Sequence, residues 1–366
     1  MQEALTSLRS TRALVSDRLT DSLASARLRL AHVGGEIDDV VDAAESLLAG
    51  GKRLRAAFCA AGWAAAGGPA PARCDEPPVL AGSSLELFQA AALVHDDVMD
   101  ESLIRRGQPS AHRRFAALHS GRDWLGSADL FGQAAAILLG DLLLVTSFRE
   151  LAHALRGVPA AGAAKAQDVY DLMTAEVTVG QYLDMQAQAA PGNPSSSQDM
   201  ERAARVVRAK SARYSVEHPI VIGAAMAGGD ESVLAQLSRF GLPIGEAFQL
   251  RDDILGVFGD PAVTGKPAGD DLREGKRTIL VALAMERGSA EERSRLSGCL
   301  GRRDLAGADL DAARDILTGT GALASVEELI AERAATGFAA LEDADVAEPA
   351  RRDLRALAEL AVDRSS

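Results

Sequence analysis

The sequence predicts an all-α protein, a single-domain bundle of long helices around a central apolar cavity. Helical periodicity dominates the 366 residues, and the alternation expected of half-buried strands is nearly absent. Aromatic residues make up only 4% of the chain while alanine is abundant, which favours close helix packing over an aromatic-rich β core. No linker-like stretch and no fixed-period repeat divides the chain, so residues 1–366 are expected to form one domain.

Apolar spacing predicts helices over about Leu54–Ala66, Leu80–Ser102, Gly132–Leu155, Ala163–Ala187 and Asp199–Met226. Further helices are expected at about Glu231–Phe258, Arg277–Glu286, Ala308–Leu317, Val326–Glu342 and Pro349–Asp363. Pro- and Gly-rich breakers separate them, at Gly67–Pro71, Pro77–Pro78, Pro191–Pro194 and Gly265–Pro267. His119–Asp129, with Gly121, Trp124, Gly126 and Ser127, reads as a surface insertion between helices. The ends, Met1 to about Ala44 and Ser297–Ser366, are helical in pattern and carry no assignable chemistry.

A net charge of −13 argues against nucleic acid as a partner. It still permits anionic substrates, because metal ions and a few local cations can invert the field inside a pocket. Cys59, Cys74 and Cys299 are odd in number and widely spaced, which fits a reducing compartment and neither a zinc site nor a disulfide framework. The first thirty residues show no signal-peptide core, and no uncharged apolar run long enough for a transmembrane segment stands out. The expected location is cytoplasmic.

Chemistry concentrates in two acidic clusters 156 positions apart, Asp96-Asp97-Val98-Met99-Asp100 and Asp252-Asp253, each inside apolar helical sequence. Asp96 and Asp100 are one helical turn apart and share a face. Carboxylates crowded on a buried face lose hydration and repel, so they call for a compensating charge. Hard divalent cations held by one or two carboxylates plus substrate phosphates meet that need, and the clusters are read as facing walls of one metal site. Basic groups complement them: Gly50-Gly51-Lys52-Arg53-Leu54-Arg55, Arg105-Arg106-Gly107, Lys210, Lys266 and Lys276. Arginine forks and lysine point charges both suit phosphate oxygens. The residues alone therefore indicate a magnesium-dependent enzyme acting on diphosphates.

The order of these motifs resembles the trans-isoprenyl diphosphate synthases of the polyprenyl synthetase family. Gly51-Lys52-Arg53-Leu54-Arg55, Gln89, Asp96–Asp100 and Arg105-Arg106-Gly107 are followed by Gly180-Gln181-Tyr182-Leu183-Asp184 and Lys210-Ser211. Phe248-Gln249-x-x-Asp252-Asp253 and Gly265-Lys266-Pro267 complete the set, and the match runs from about residue 47 to 280. The resemblance implies the isoprenoid synthase fold, a homodimer and three magnesium ions. It implies that Asp96, Asp100 and Asp252 hold the metal, supported by Asp97 and Asp253. Arg105, Lys210 and Lys266 would bind the allylic diphosphate, with Gln181 and Asp184 lining its pocket. Lys52, Arg55, Gln89 and Arg106 would bind isopentenyl diphosphate, while Ser211 and Gln249 would lie near the reacting carbon. His95 is expected to be a buried, hydrogen-bonded structural residue rather than a catalyst.

Two positions shape the expected specificity. Ala91 and Ala92 stand one turn before Asp96, where short-chain members of the resembled family carry aromatic side chains, and Phe88 lies a further turn away. Small residues there leave room for a growing tail with Phe88 as its floor, which predicts geranylgeranyl diphosphate as product and a longer polyprenyl chain as the alternative. Gly256 replaces the third aspartate usual in the second cluster, and Asp260 or Asp270 is the expected source of a nearby carboxylate. If Gly256 disabled the site, the chain would be a non-catalytic regulatory subunit. A class I terpene synthase fits less well, since its second metal motif normally carries Asn, Ser and Glu.

Overall fold

The computed structural model describes residues 2–189, 197–261, 265 and 267–363. They are almost entirely helical, so the all-α expectation holds. Contacts divide the chain into two compact units.

The first unit comprises residues 1–169, 219–237 and 344–357. It contains α1 (Gln2–Leu30), α2 (Ile37–Leu48), α3 (Leu54–Ala65), α4 (Pro77–Met99), α5 (Ala111–Gly121) and α6 (Ala128–Arg156). Val15, Leu19 and Leu23 recur every four residues on α1 and form one buried stripe. They join Val41 and Leu48 of α2, Leu87 and Val94 of α4, and Leu139 and Leu143 of α6 in a common core. Arg18 donates to the fully buried Glu150 carboxylate from Nε (2.8 Å) and Nη2 (3.0 Å), and the Ser22 hydroxyl donates to it at 2.9 Å. This charge-assisted network ties α1 to α6.

Several sequence expectations are sharpened here. Pro77 and Pro78 do not separate elements but open α4, where a missing N–H costs nothing. That helix stops at Met99, short of Ser102, and Glu101 takes a positive φ of 53°. The loop between α5 and α6 is confined to residues 122–127, narrower than the expected insertion. Among the described residues one helix, α6, is long and apolar enough to cross a membrane, which the absence of an uncharged apolar run did not lead us to expect. Its Ala136, Leu139, Leu143 and Leu151 are buried, and it packs chiefly on α4 and α5.

The second unit comprises residues 170–218, 238–343 and 358–366. Most of α7 (Ala160–Ala189) lies in it, followed by α8 (Ser197–Val206), a π-helical segment (Val207–Glu217) and much of α10 (Glu231–Phe258), α9 (His218–Met226) standing between these last two in the chain. Among the described residues, five more helices follow in this unit: α11 (Asp270–Glu274), α12 (Ile279–Arg287), α13 (Ala290–Cys299), α14 (Gly307–Gly319) and α15 (Ala322–Glu342). Arg251 of α10 grips Glu327 of α15 through two parallel hydrogen bonds of 2.5 and 2.7 Å. Glu246 accepts from Arg208 and pairs with Arg333 at 3.0 Å, linking the π-helical segment, α10 and α15. The last helix, α16 (Glu348–Val362), has residues in both units.

Candidate active site

In the first unit, α4 carries the leading acidic cluster at its C-terminal end. The Asp97 side chain is 2% exposed and Asp96 14%, and Asp100 is buried at the helix end. Beyond it the chain turns in a short hairpin that pairs Ile104 with Pro109 and Arg105 with Gln108. Its two turn residues, Arg106 (φ 52°) and Gly107 (φ 73°), both have positive φ, as a tight two-residue hairpin requires. The turn sends two adjacent arginines to different places.

Arg105 reaches back to the acidic cluster. Its Nε donates to Asp97 Oδ1 at 3.0 Å, its Nη2 also donates to that oxygen, and Asp96 Oδ2 lies 3.7 Å away. Asp97 therefore holds the arginine while Asp96 and Asp100 share the helix end.

Arg106 instead joins the other basic motif. Its Nη1 donates to the Leu47 carbonyl at 3.1 Å and would lie 3.6 Å from a Cβ on Gly51, with Arg53 Nη1 at 3.8 Å. Burial, then the positive charges of Arg53, Arg105 and Arg55, lower the Arg106 pKa, and Glu86 opposes that shift. Such mutual repulsion between guanidinium groups marks a place where an anion would be stabilised. Lys52 is exposed, while Arg55 and Gln89 are half-buried.

The three cations of the Lys52–Arg55 motif are not equivalent. Arg53 is buried, adopts φ 53° and donates to the Leu48 carbonyl. It pairs at 3.5 Å with Glu86, whose carboxylate also accepts from the Ala56 N–H at 3.3 Å. Arg53 thus sets the start of α3 and leaves Lys52 and Arg55 on either side of it. Glu86 was missed in the sequence, where it reads as one polar residue in an apolar run.

His95 is hydrogen-bonded as expected, but it is half-buried rather than buried. Its Nε2 is 3.1 Å from the Ile137 carbonyl, and the ring packs where a Cβ on Gly140 would stand. Ala91 is fully buried in the core, whereas Ala92 is half-buried four residues before Asp96, with Phe88 buried four residues earlier again.

In the second unit, Lys210 and Ser211 lie in the π-helical segment, a feature no apolar pattern could reveal. Wider i→i+5 turns of this kind recur at functional sites. Neighbouring backbones approach it closely: a Cβ on Gly180 of α7 would lie 2.5 Å from Lys210 N, and one on Gly245 of α10 would overlap the Ala212 carbonyl. Lys210 Nζ donates to Asp184 Oδ2 at 2.7 Å, so α7 fixes both the backbone and the charged tip of the lysine. Gln181 and Ser211 are half-buried.

On α10, Asp252 is exposed and Asp253 buried, and Gln249 Nε2 donates to Asp253 Oδ1 at 2.7 Å. Burial, followed by the charge of Asp271, holds the Asp253 carboxyl well above the ordinary range. Asp252 adds to this, while Gln249 and Lys276 oppose it. The side chain that fills the space over Gly256 is that of Asp271. Lys266 lies outside the described residues.

The donors are carboxylate oxygens, the ligands of hard cations. Among the described residues, no three His, Cys, Asp or Glu side chains already converge on one point. Ions bound jointly by one or two carboxylates and a substrate diphosphate need no such cage.

Comparison with known proteins agrees with this chemistry. The Polyprenyl synthetase family matches residues 38–317. A geranylgeranyl diphosphate synthase of Sulfolobus acidocaldarius is 32% identical over 78% of this chain and 79% of its own. A geranylfarnesyl diphosphate synthase of Aeropyrum pernix is 34% identical over 75% of this chain and 78% of its own. Among solved structures, the geranylgeranyl pyrophosphate synthase of Corynebacterium glutamicum, complexed with isoprenyl diphosphate and magnesium, superposes with a TM-score of 0.91. It is 39% identical, covering 98% of this chain and 99% of that one.

Proposed function

The chain belongs to the polyprenyl synthetase family and is a chain-elongating trans-prenyltransferase, and we propose that it makes geranylgeranyl diphosphate from isopentenyl diphosphate and a shorter allylic diphosphate. The observation that carries the product assignment is Ala92, half-buried on the Asp96 face of α4 with Phe88 a turn further on. A small side chain leaves room for the growing tail of the allylic chain, and Phe88 forms the floor of that space. Ala91, the neighbouring small residue, is fully buried in the core.

In this reading Lys52, Arg55, Gln89 and Arg106 hold the diphosphate of isopentenyl diphosphate. Arg105, Lys210 and Lys266 contact the allylic diphosphate, and Gln181 and Asp184 line its pocket. Asp96, Asp100 and Asp252 are the metal carboxylates, with Asp97 and Asp253 supporting them. Bound magnesium, three ions in this reading, would draw charge from the departing diphosphate. The arginine and lysine contacts stabilise the same developing charge. The allylic C–O bond then breaks with its electron pair on the diphosphate, and apolar helices keep water from the cation. The double bond of isopentenyl diphosphate attacks that carbon. Ser211 and Gln249 border the reacting carbon, and the departing diphosphate takes the proton lost.

A homodimer formed through the outer face of α6 is part of the proposal. Leu130, Ile137, Leu138, Val145 and Phe148 recur there and are exposed, Leu130 at 68% and Val145 at 67%. A cytoplasmic location is part of the same reading, supported by three cysteines without disulfide partners.

The test of product length is Ala92→Phe. It should shorten the main product to fifteen carbons, and an unchanged distribution would remove this wall as the ruler. Leu138→Glu should convert a dimer to monomers in size-exclusion chromatography with light scattering; an unchanged mass would place the interface elsewhere.

A further inference from the structure

The π-helical segment that carries Lys210 and Ser211 ends in a clasp made by a single carboxylate. Glu176 of α7 accepts from Arg213 Nη1 at its Oε1 (2.8 Å), and its Oε2 stands 2.8 Å from His218 Nε2. A carboxylate can only accept, so the imidazole donates from Nε2. Arg213 and His218 are five residues apart, and the His218 N–H bonds to the Arg213 carbonyl, the i→i+5 link of a π turn. On an α-helix, residues with that spacing point about 140° away from each other, and one carboxylate would not meet both. The clasp therefore fits the wide turn and not the ordinary one. His218 is buried, and so is Glu217, whose Oε1 accepts from the Ser238 hydroxyl of α10 at 2.6 Å while Arg213 Nε lies 3.6 Å from its Oε2. Along α7, Glu176 comes one turn before Gly180, which the Lys210 backbone approaches, and two turns before Asp184, which takes the Lys210 ammonium. One face of α7 thus grips the segment both at Lys210 and at its last turn.

We propose that Glu176 is a positioning residue: by clasping Arg213 and His218 across the last π turn, it fixes the register in which Lys210 and Ser211 are presented. Resting on the prenyltransferase reading above, this assigns Glu176 to the allylic half of the reaction, where it acts through Lys210 and touches no substrate. Without the clasp the turn is free to tighten to the ordinary i→i+4 pattern. That change turns the side chains before it by about 100° relative to those after it. Lys210 and Ser211 come before it, so the ammonium would leave Asp184. Lys52, Arg55, Gln89 and Arg106, assigned to isopentenyl diphosphate, belong to other segments and would stay in place.

The test is Glu176→Ala in the full chain, read by steady-state kinetics and by hydrogen exchange. With a fifteen-carbon allylic primer and isopentenyl diphosphate varied in turn, kcat/KM for the primer should fall about tenfold to a hundredfold, the upper value being the cost of a misplacement of about 1 Å. KM for isopentenyl diphosphate should stay at the parental value. Amides of residues 207–218 should exchange faster while those of α10 keep their protection. Arg213→Ala, which cuts the half-buried arm of the clasp, should reproduce this pattern, and it decides the matter if Glu176→Ala does not fold. Parental kcat/KM for the primer in the folded variant would overturn the proposal. So would an equal loss toward both substrates, or parental exchange across residues 207–218. Exchange needs no turnover, so a parent that elongates no primer would sink the prenyltransferase reading and leave the clasp to be judged by exchange alone.

Discussion

Removing Glu86 tests how the isopentenyl end of the site is built. The Glu86 and Arg53 side chains are each 4% exposed and 3.5 Å apart, and Glu86 also accepts from the Ala56 N–H. Glu86→Ala would strand a buried guanidinium and a backbone donor at the first turn of α3. Breaking a buried pair from one side costs about 3–5 kcal/mol, far more than the intact pair contributes, because the remaining charge stays desolvated. At about 3 kcal/mol the folding equilibrium falls roughly a hundredfold or more. The assay is urea unfolding followed by circular dichroism, comparing midpoints at constant slope. Glu86→Gln should lose less, since it still offers an oxygen to Ala56. Glu86 also opposes the positive field of Arg53 at Arg106. Inorganic diphosphate should therefore restore part of the lost stability by supplying the missing negative charge. A loss below about 1 kcal/mol would refute the view that Arg53 is a structural cation held by Glu86.

Other outcomes follow from the second unit and the core. Gly180→Ala places a methyl against the Lys210 backbone and should cost about 1–3 kcal/mol by overpacking; an unchanged melting midpoint would mean the π-helical segment is not clamped there. Because Asp253 has a raised native pKa, the folded state binds its proton more tightly than the unfolded chain. That contribution is complete below the ordinary carboxylate value of about 3.9 and is lost as pH rises through the native pKa. In EDTA, Asp253→Asn should accordingly raise the unfolding midpoint at pH of about 8, with the gain closing in acid; a lower midpoint at the alkaline end would contradict it. Burial pushes the Cys59 thiol up to about 12. It should resist thiol reagents until the protein unfolds, and reaction at the native rate of half-buried Cys74 would show that helix α3 opens.

What the sequence could reveal depended on how local each signal was. Asp96 and Asp100 announce themselves by one-turn spacing within an apolar helix, and the helices that carry the two clusters, α4 and α10, were legible for the same reason. Arg105 and Arg106 were legible as cations, and only the family resemblance sent them to different diphosphates, because the hairpin turn that separates them depends on two positive φ values. Arg53 looked like its neighbours, since only burial against Glu86, thirty-three positions away, separates it from Lys52 and Arg55. The π-helical segment leaves no period of its own, although Gly180 and Gly245 hinted at close backbone approach. Asp271 was invisible for a related reason: its place depends on an empty space at Gly256, and sequence shows residues rather than the room between helices.

The central claim is tested most directly by product sizing. The purified protein is incubated with labelled isopentenyl diphosphate, magnesium and allylic primers of five, ten or fifteen carbons, and the products are dephosphorylated and separated by length. A twenty-carbon alcohol that disappears when EDTA replaces magnesium is expected. Failure of the folded protein to elongate any of the three primers would contradict it.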